Sequence, residues 1–181
     1  MTEHPEHDPA CAVAHGDAVA HGYEPAPAAD RALVAVFASP VADHLLRYAA
    51  DLDFRTVLVE PDAERADKLD PPGGAVLSTA VPDDLEGADV VVTDHHRPEL
   101  GAMLRDALAA PVRWVGVMGK PGITPPHIAA LRELGVPDAE IARVHRPIGL
   151  NIGSRTPPEI AIATLAGLLA DRAGRPGGFE F

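Results

Sequence analysis

The densest set of residues able to hold an anion is the run H-R-P-I-G-L-N-I-G-S-R-T-P-P-E-I-A at residues 145–161. Pro147, Gly149 and Gly153 bend the chain sharply. The bend leads into a helix start, because Thr156 can cap, Pro157 fits the first turn and Glu159 stands where a capping box needs its acid. Amides exposed at such a terminus, together with Arg146 and Arg155, would seat an anionic group. The same residues also describe a mere corner, with glycines permitting the turn and arginines facing water.

A second polar group is T-D-H-H at residues 93–96, after the apolar run V-V-V. Open α/β sheets bind ligands at the carboxyl ends of their strands, so Asp94, His95 and His96 are candidate contacts there. Shared metal ligation by His95 and His96 is opposed by their adjacency, since neighbouring side chains seldom converge on one ion. The alternative is that Asp94 or His95 caps the next helix while the other imidazole faces water.

Several catalytic patterns are missing. The single cysteine, Cys11, stands near the N-terminus, far from these stretches. There is no Gly-x-Ser-x-Gly elbow and no Gly-Lys-Ser/Thr phosphate loop. Ser154 and Arg155 lie in a Gly-Ser-Arg sequence with no base placed by local spacing. No catalytic residue and no metal site are assigned.

The elements that would position these stretches alternate. Short apolar runs rich in Val, at 33–38, 56–59, 75–78, 89–93 and 114–117, read as strands buried on both faces. Amphipathic stretches at 41–52, 63–68, 98–109 and 125–134 read as the helices between them. This is the pattern of an α/β, Rossmann-like three-layer domain with a mostly parallel sheet. The final helix follows Thr156, buries Ile160, Leu165, Leu168 and Leu169, and stops at Gly174. Domain limits of 31–173 follow, with a flexible exit at 174–181.

Composition narrows the partners. Aromatics make up only 4% of the chain against 46% hydrophobic residues, so the core is aliphatic. A net charge of -12 opposes a phosphate backbone and an anionic membrane surface, so nucleic acid and membranes are not expected partners. Residues 1–30 contain six acids, Glu3, Glu6, Asp8, Asp17, Glu24 and Asp30, and no Lys or Arg. They read as an acidic, disordered tail, although His4, His7, Cys11, His15 and His21 have spacings that would suit a metal on a helix. One cysteine excludes an internal disulfide, and no signal-peptide or membrane-spanning pattern occurs, so a cytoplasmic location is expected.

The elements Pro-Ile-Gly-Leu, Ile-Gly and Thr-Pro-x-Glu-Ile-Ala, in this order within 147–161, resemble the signature of the C-terminal domain of the XdhC/CoxI maturation factors. The resemblance extends to V-V-V-T-D-H-H at 90–96, W-V-G-V-M-G at 114–119 and L-R-E-L-G-V at 131–136, covering about residues 31–173. It implies a factor that binds molybdenum cofactor (molybdopterin) as a transient ligand and aids its sulfuration or insertion into a xanthine dehydrogenase-type molybdenum hydroxylase. The implied partners are the apo molybdenum hydroxylase, a sulfur-transferring enzyme and a second copy of the chain as a homodimer.

Three departures qualify the resemblance. The family carries a small domain before its Rossmann portion, where this chain has the acidic segment. At the first strand-to-helix turn the family has a Gly-x-Gly phosphate loop, whereas this chain reads Phe37-Ala38-Ser39-Pro40. Glycines let the backbone approach a pyrophosphate and Pro40 removes an amide, so NAD(P) binding is weakened. Glu60 nevertheless stands where a Rossmann domain places its ribose-binding acid. Finally, the family's Gly-Ser-Arg after the fifth strand is replaced by Gly119 and Lys120, which lose the bidentate grip of Arg.

The expected pocket is lined by the 93–96 turn with Thr93, by the 116–122 turn and by the 146–156 loop. Its candidate cofactor-binding residues therefore include Gly116, Gly119 and Lys120 from the second turn. The loop supplies Arg146, Gly149, Asn151, Gly153, Arg155, Thr156 and the capping Glu159. Competing readings are an NAD(P)-dependent oxidoreductase using Glu60, and a regulatory scaffold that has lost its ligand and binds a protein instead.

Overall fold

A computed structural model describes residues 31–120 and 122–178 of the chain. The N-terminal acidic segment, with its histidines and Cys11, lies outside the described residues. Six strands form one sheet: β1 (Ala32–Val36), β2 (Arg55–Val59), β3 (Val76–Ser78), β4 (Asp89–Val92), β5 (Trp114–Val117) and β6 (Val144–His145). Their order is β3-β2-β1-β4-β5-β6 and every pairing is parallel. The chain builds outward from β1 in one direction, then returns to lay β4 on the other side of β1. The carboxyl ends of β1 and β4 therefore flank the topological switch point.

β1, β4 and β5 are buried throughout, as their continuous apolar content requires, whereas the edge strands β3 and β6 are partly exposed. Alternate residues point to opposite layers. Val34, Val36, Val57, Val59, Val90 and Val92 pack with Leu104 and Leu131, whereas Leu33, Ala35, Leu58 and Val91 pack with Leu45, Leu46, Leu165 and Leu168.

One layer is α1 (Pro40–Ala50) against the C-terminal helix α6 (Pro157–Arg172). Helix α1 buries Ala42, Leu45, Leu46 and Ala49, the spacing of a single helical face. Ser39 caps it, its Oγ accepting from Ala42 N at 3.1 Å, with Pro40 at the first position. The other layer holds α3 (Leu100–Ala109), α4 (Pro126–Glu133) and the single turn α5 (Asp138–Ile141), while α2 (Ala63–Ala66) and a 3₁₀ turn at Pro72–Gly74 fill connections. Gly101 lets α3 approach α4, since a Cβ there would lie 3.1 Å from Ala130 Cβ.

The five expected strands and five expected helices are all present. Two short elements near the second edge, α5 and β6, carry too few residues to show a period. Among the described residues no helix is long and apolar enough to cross a membrane.

Candidate functional site

At the switch point the first turn replaces glycine with a buried aromatic. Phe37 adopts φ 73, a conformation that favours glycine, and its ring is fully buried. The Arg97 guanidinium lies over that ring at 4.8 Å and grips Glu60 with two prongs, Nη2 to Oε1 at 2.8 Å and Nη1 to Oε2 at 3.2 Å. Glu60 also accepts from Ala38 N at 3.1 Å and Asp62 N at 3.2 Å. Burial, the largest single influence, pushes its carboxyl up, but Arg97 and the two amides together hold it below its ordinary value.

Four donors use the four lone-pair positions of that carboxylate. Glu60, the expected ribose contact, is thus an internal counter-ion to Arg97 whose two oxygens are engaged by four donors. Thr93 is likewise engaged internally. Its hydroxyl lies 2.8 Å from Phe37 O and 3.1 Å from Val36 O and receives a bond from Ser39 Oγ at 3.0 Å, stitching the ends of β1 and β4 together.

Beyond Thr93 the polar turn opens outward. Asp94 accepts from His96 N at 2.9 Å, closing the turn, and the His96 side chain is 81% exposed. The His95 ring lies tilted by 35° against His96, centroids 4.1 Å apart, and turns toward Met118 and Arg146. Burial, then the nearby His96 and Arg146, lower the pKa of His95, so it favours the neutral form. Among the described residues no group of His, Cys, Asp and Glu could hold a metal.

The next turn meets Arg146. Gly116, inside β5, is required by packing, because a Cβ would fall 2.1 Å from the Trp114 ring, which stacks on His145 at 5.1 Å. Gly119 serves a different neighbour: the Arg146 guanidinium lies across it, and a Cβ would come within 2.3 Å of Nε and Nη2. Arg146 Nη1 donates to Ile123 O at 3.1 Å, while Nε and Nη2 are buried without a partner. Lys120 is exposed at this turn.

The 149–159 stretch departs most from expectation. Gly149 lies against α6, where a Cβ would meet the Ala163 and Thr164 backbone at 3.0 Å, and Gly153 takes φ 71 in an open turn. Thr156 and Glu159 form a capping box, and Glu159 Oε2 accepts from Arg155 N at 2.8 Å and Thr156 N at 3.0 Å. Pro157 and Pro158 have no N–H to offer. The amides of Arg155 and Thr156, part of the expected anion seat, thus donate to Glu159, which carries a negative charge of its own. Those bonds hold the Glu159 carboxyl below its ordinary value. Asn151 and Arg155 are exposed.

Arg146, Gly119 and His95 come together here with one residue that the motif reading passed over. His127, in α4, is only 3% exposed, and its Nδ1 has no partner. Burial first and Arg146 second lower its pKa. Its sequence signal is the spacing to Leu131, four residues on and also fully buried, which puts the imidazole on the core-facing stripe of its helix.

An all-parallel, doubly wound sheet with its polar turns gathered at the carboxyl edge defines a Rossmann-like α/β domain. The chain matches the XdhC Rossmann domain family model over residues 33–168 and belongs to that family. The "Uncharacterized protein YqeB" of Escherichia coli K12 is 43% identical over 68 residues, which span 38% of this chain and 13% of that protein. A crystal structure described as a xanthine dehydrogenase from Bacillus halodurans shares the fold, with TM-score 0.61 and 23% identity over 83% of this chain. This chain corresponds to 45% of that one, so both relatives extend well beyond the shared part.

Proposed function

We propose that this protein is a maturation factor for molybdenum hydroxylases of the xanthine dehydrogenase type. It takes molybdenum cofactor as transient cargo at the carboxyl edge of the sheet and passes it to an apoenzyme, in the cytoplasm, with a sulfur-transferring enzyme as a further partner. Family membership supports the class of role. The single observation that carries the ligand assignment is Arg146, whose Nε and Nη2 are buried beside Gly119 with nothing to donate to. Two unmade hydrogen bonds from buried guanidinium nitrogens are costly, and an anionic oxygen would satisfy them. The phosphate of a pterin cofactor has that chemistry.

An NAD(P)-dependent oxidoreductase is less well supported. Its phosphate turn would have to form from Phe37, Ala38 and Pro40, and its ribose acid, Glu60, is held by Arg97. Equilibrium binding of purified molybdenum cofactor to the full chain tests the proposal. A saturable isotherm that weakens in Arg146→Ala is expected; no saturable interaction with the unaltered protein overturns it.

A further inference from the structure

Between α4, α5 and β6 lies a cavity of about 360 Å³ that the motif resemblance does not mark. Ile128, Ile141 and Val144 give it apolar walls, and His127 and Arg146 are among its lining residues, the Nε and Nη2 of Arg146 lying beside Gly119. Both polar residues present buried nitrogens that lack partners, Nδ1 of His127 and Nε and Nη2 of Arg146. The rim carries an opposed pair, Arg132 Nε to Asp138 Oδ1 at 2.9 Å, so the one carboxylate that lines the cavity among the described residues already has a cation beside it. Buried polar groups are ordinarily hydrogen-bonded, and unpartnered ones gathered at one cavity mark where a ligand's acceptors belong.

We propose that His127 and Arg146 form a subsite for a phosphate monoester, with Arg146 supplying paired N–H donors and His127 donating from Nδ1 to a further phosphate oxygen. The inference rests on the cofactor-binding reading and deepens it by saying which part of the ligand is held, by which residues and in which cavity. Two cations, Arg146 and a protonated His127, would match a phosphate dianion. In the absence of ligand, burial and the Arg146 charge favour the neutral imidazole. The groups facing it are Arg146 after β6, the Arg132–Asp138 pair from α4 and α5, and His95 across Arg146. An arriving dianion outweighs the repulsion from Arg146 and favours protonation, so binding takes up a proton and strengthens as pH falls toward 6, the second pKa of a phosphate monoester being about that value.

The test follows the His127 imidazole by NMR in the full chain while phenyl phosphate is added, with phenol as the uncharged control. The expected result is a saturable shift of the His127 ring signals with phenyl phosphate alone, and a titration midpoint that moves up in pH. His127→Gln, checked for folding by its unfolding curve, should weaken phenyl phosphate binding about tenfold or more. Absence of any ring shift in the unaltered protein overturns the subsite and needs no variant to be read. Should phenyl phosphate bind here while intact molybdenum cofactor does not, the subsite stands and the maturation reading falls. Should the cofactor bind with equal affinity to the unaltered protein and His127→Gln, the subsite falls and the maturation reading stands.

Discussion

Arg97 and Glu60, 37 residues apart, close on each other through two hydrogen bonds of 2.8 and 3.2 Å just beyond the carboxyl end of β2. Glu60 is fully buried and the Arg97 side chain is 9% exposed, so breaking the pair strands a charge in the interior. Arg97→Leu should therefore destabilise the protein by about 3–5 kcal/mol, read from urea unfolding. An unchanged midpoint would show that the pair is solvated in solution.

The same pair has a pH signature. The folded carboxyl of Glu60 is held below the ordinary 4.5, so the unfolded chain takes up its proton first as the medium is acidified. Its stabilisation is complete above about pH 4.5 and is lost as pH falls through the lower folded value. Unfolding free energies measured from pH 6 down to 3 should fall less steeply in Glu60→Gln than in the unaltered protein.

The closed first turn predicts the response to dinucleotides. Titration with NADPH to about 1 mM, the upper end of ordinary cofactor concentrations, should give no saturable fluorescence enhancement. Phe37→Gly relieves the left-handed torsion but deletes a buried ring that supports Arg97, so a net loss of about 2–4 kcal/mol is expected. The variant should remain unable to bind, because Glu60 keeps Arg97. Saturable NADPH binding by either protein would refute this account of the switch point.

Gly119→Ala separates ligand binding from folding. The new Cβ would come within 2.3 Å of Arg146 Nε and Nη2, the far end of a flexible side chain that can swing away. Stability should change by less than about 1 kcal/mol while affinity for molybdenum cofactor falls with that of Arg146→Ala. Equal cofactor affinity with and without the methyl group would remove Arg146 from the site.

Much of this architecture is legible in the residues because the signals are periodic. The Val-rich runs alternate between two layers, and α1 repeats Ala42, Leu45, Leu46 and Ala49 on one face. The site is less legible because its logic is pairwise and long-range. Arg97 adjoins a conspicuous T-D-H-H, yet only folding reveals that it pairs with Glu60 and covers the Phe37 ring. His127 sits in a helix like any core residue, and its orphaned Nδ1 has no sequence signature. The two-residue β6 gives no period at all, although it delivers Arg146 to the cavity.

The 150s loop offers the sharpest remaining contrast. Thr156 and Glu159 mark a helix start in the sequence, and the same pair uses up the amides that an anion would need. Asn151 and Arg155 point into solvent, whereas Arg146 is clamped between Ile123 O and Gly119. Asn151→Ala and Arg155→Ala should therefore leave cofactor affinity within about twofold, equivalent to the ±0.5 kcal/mol typical of exposed positions, while Arg146→Ala lowers it at least about tenfold. Thr156→Ala should cost about 1 kcal/mol of stability through the lost cap without touching the ligand. A comparable loss of affinity from Arg155→Ala would return the anion seat to the helix terminus and remove it from the Arg146 cavity.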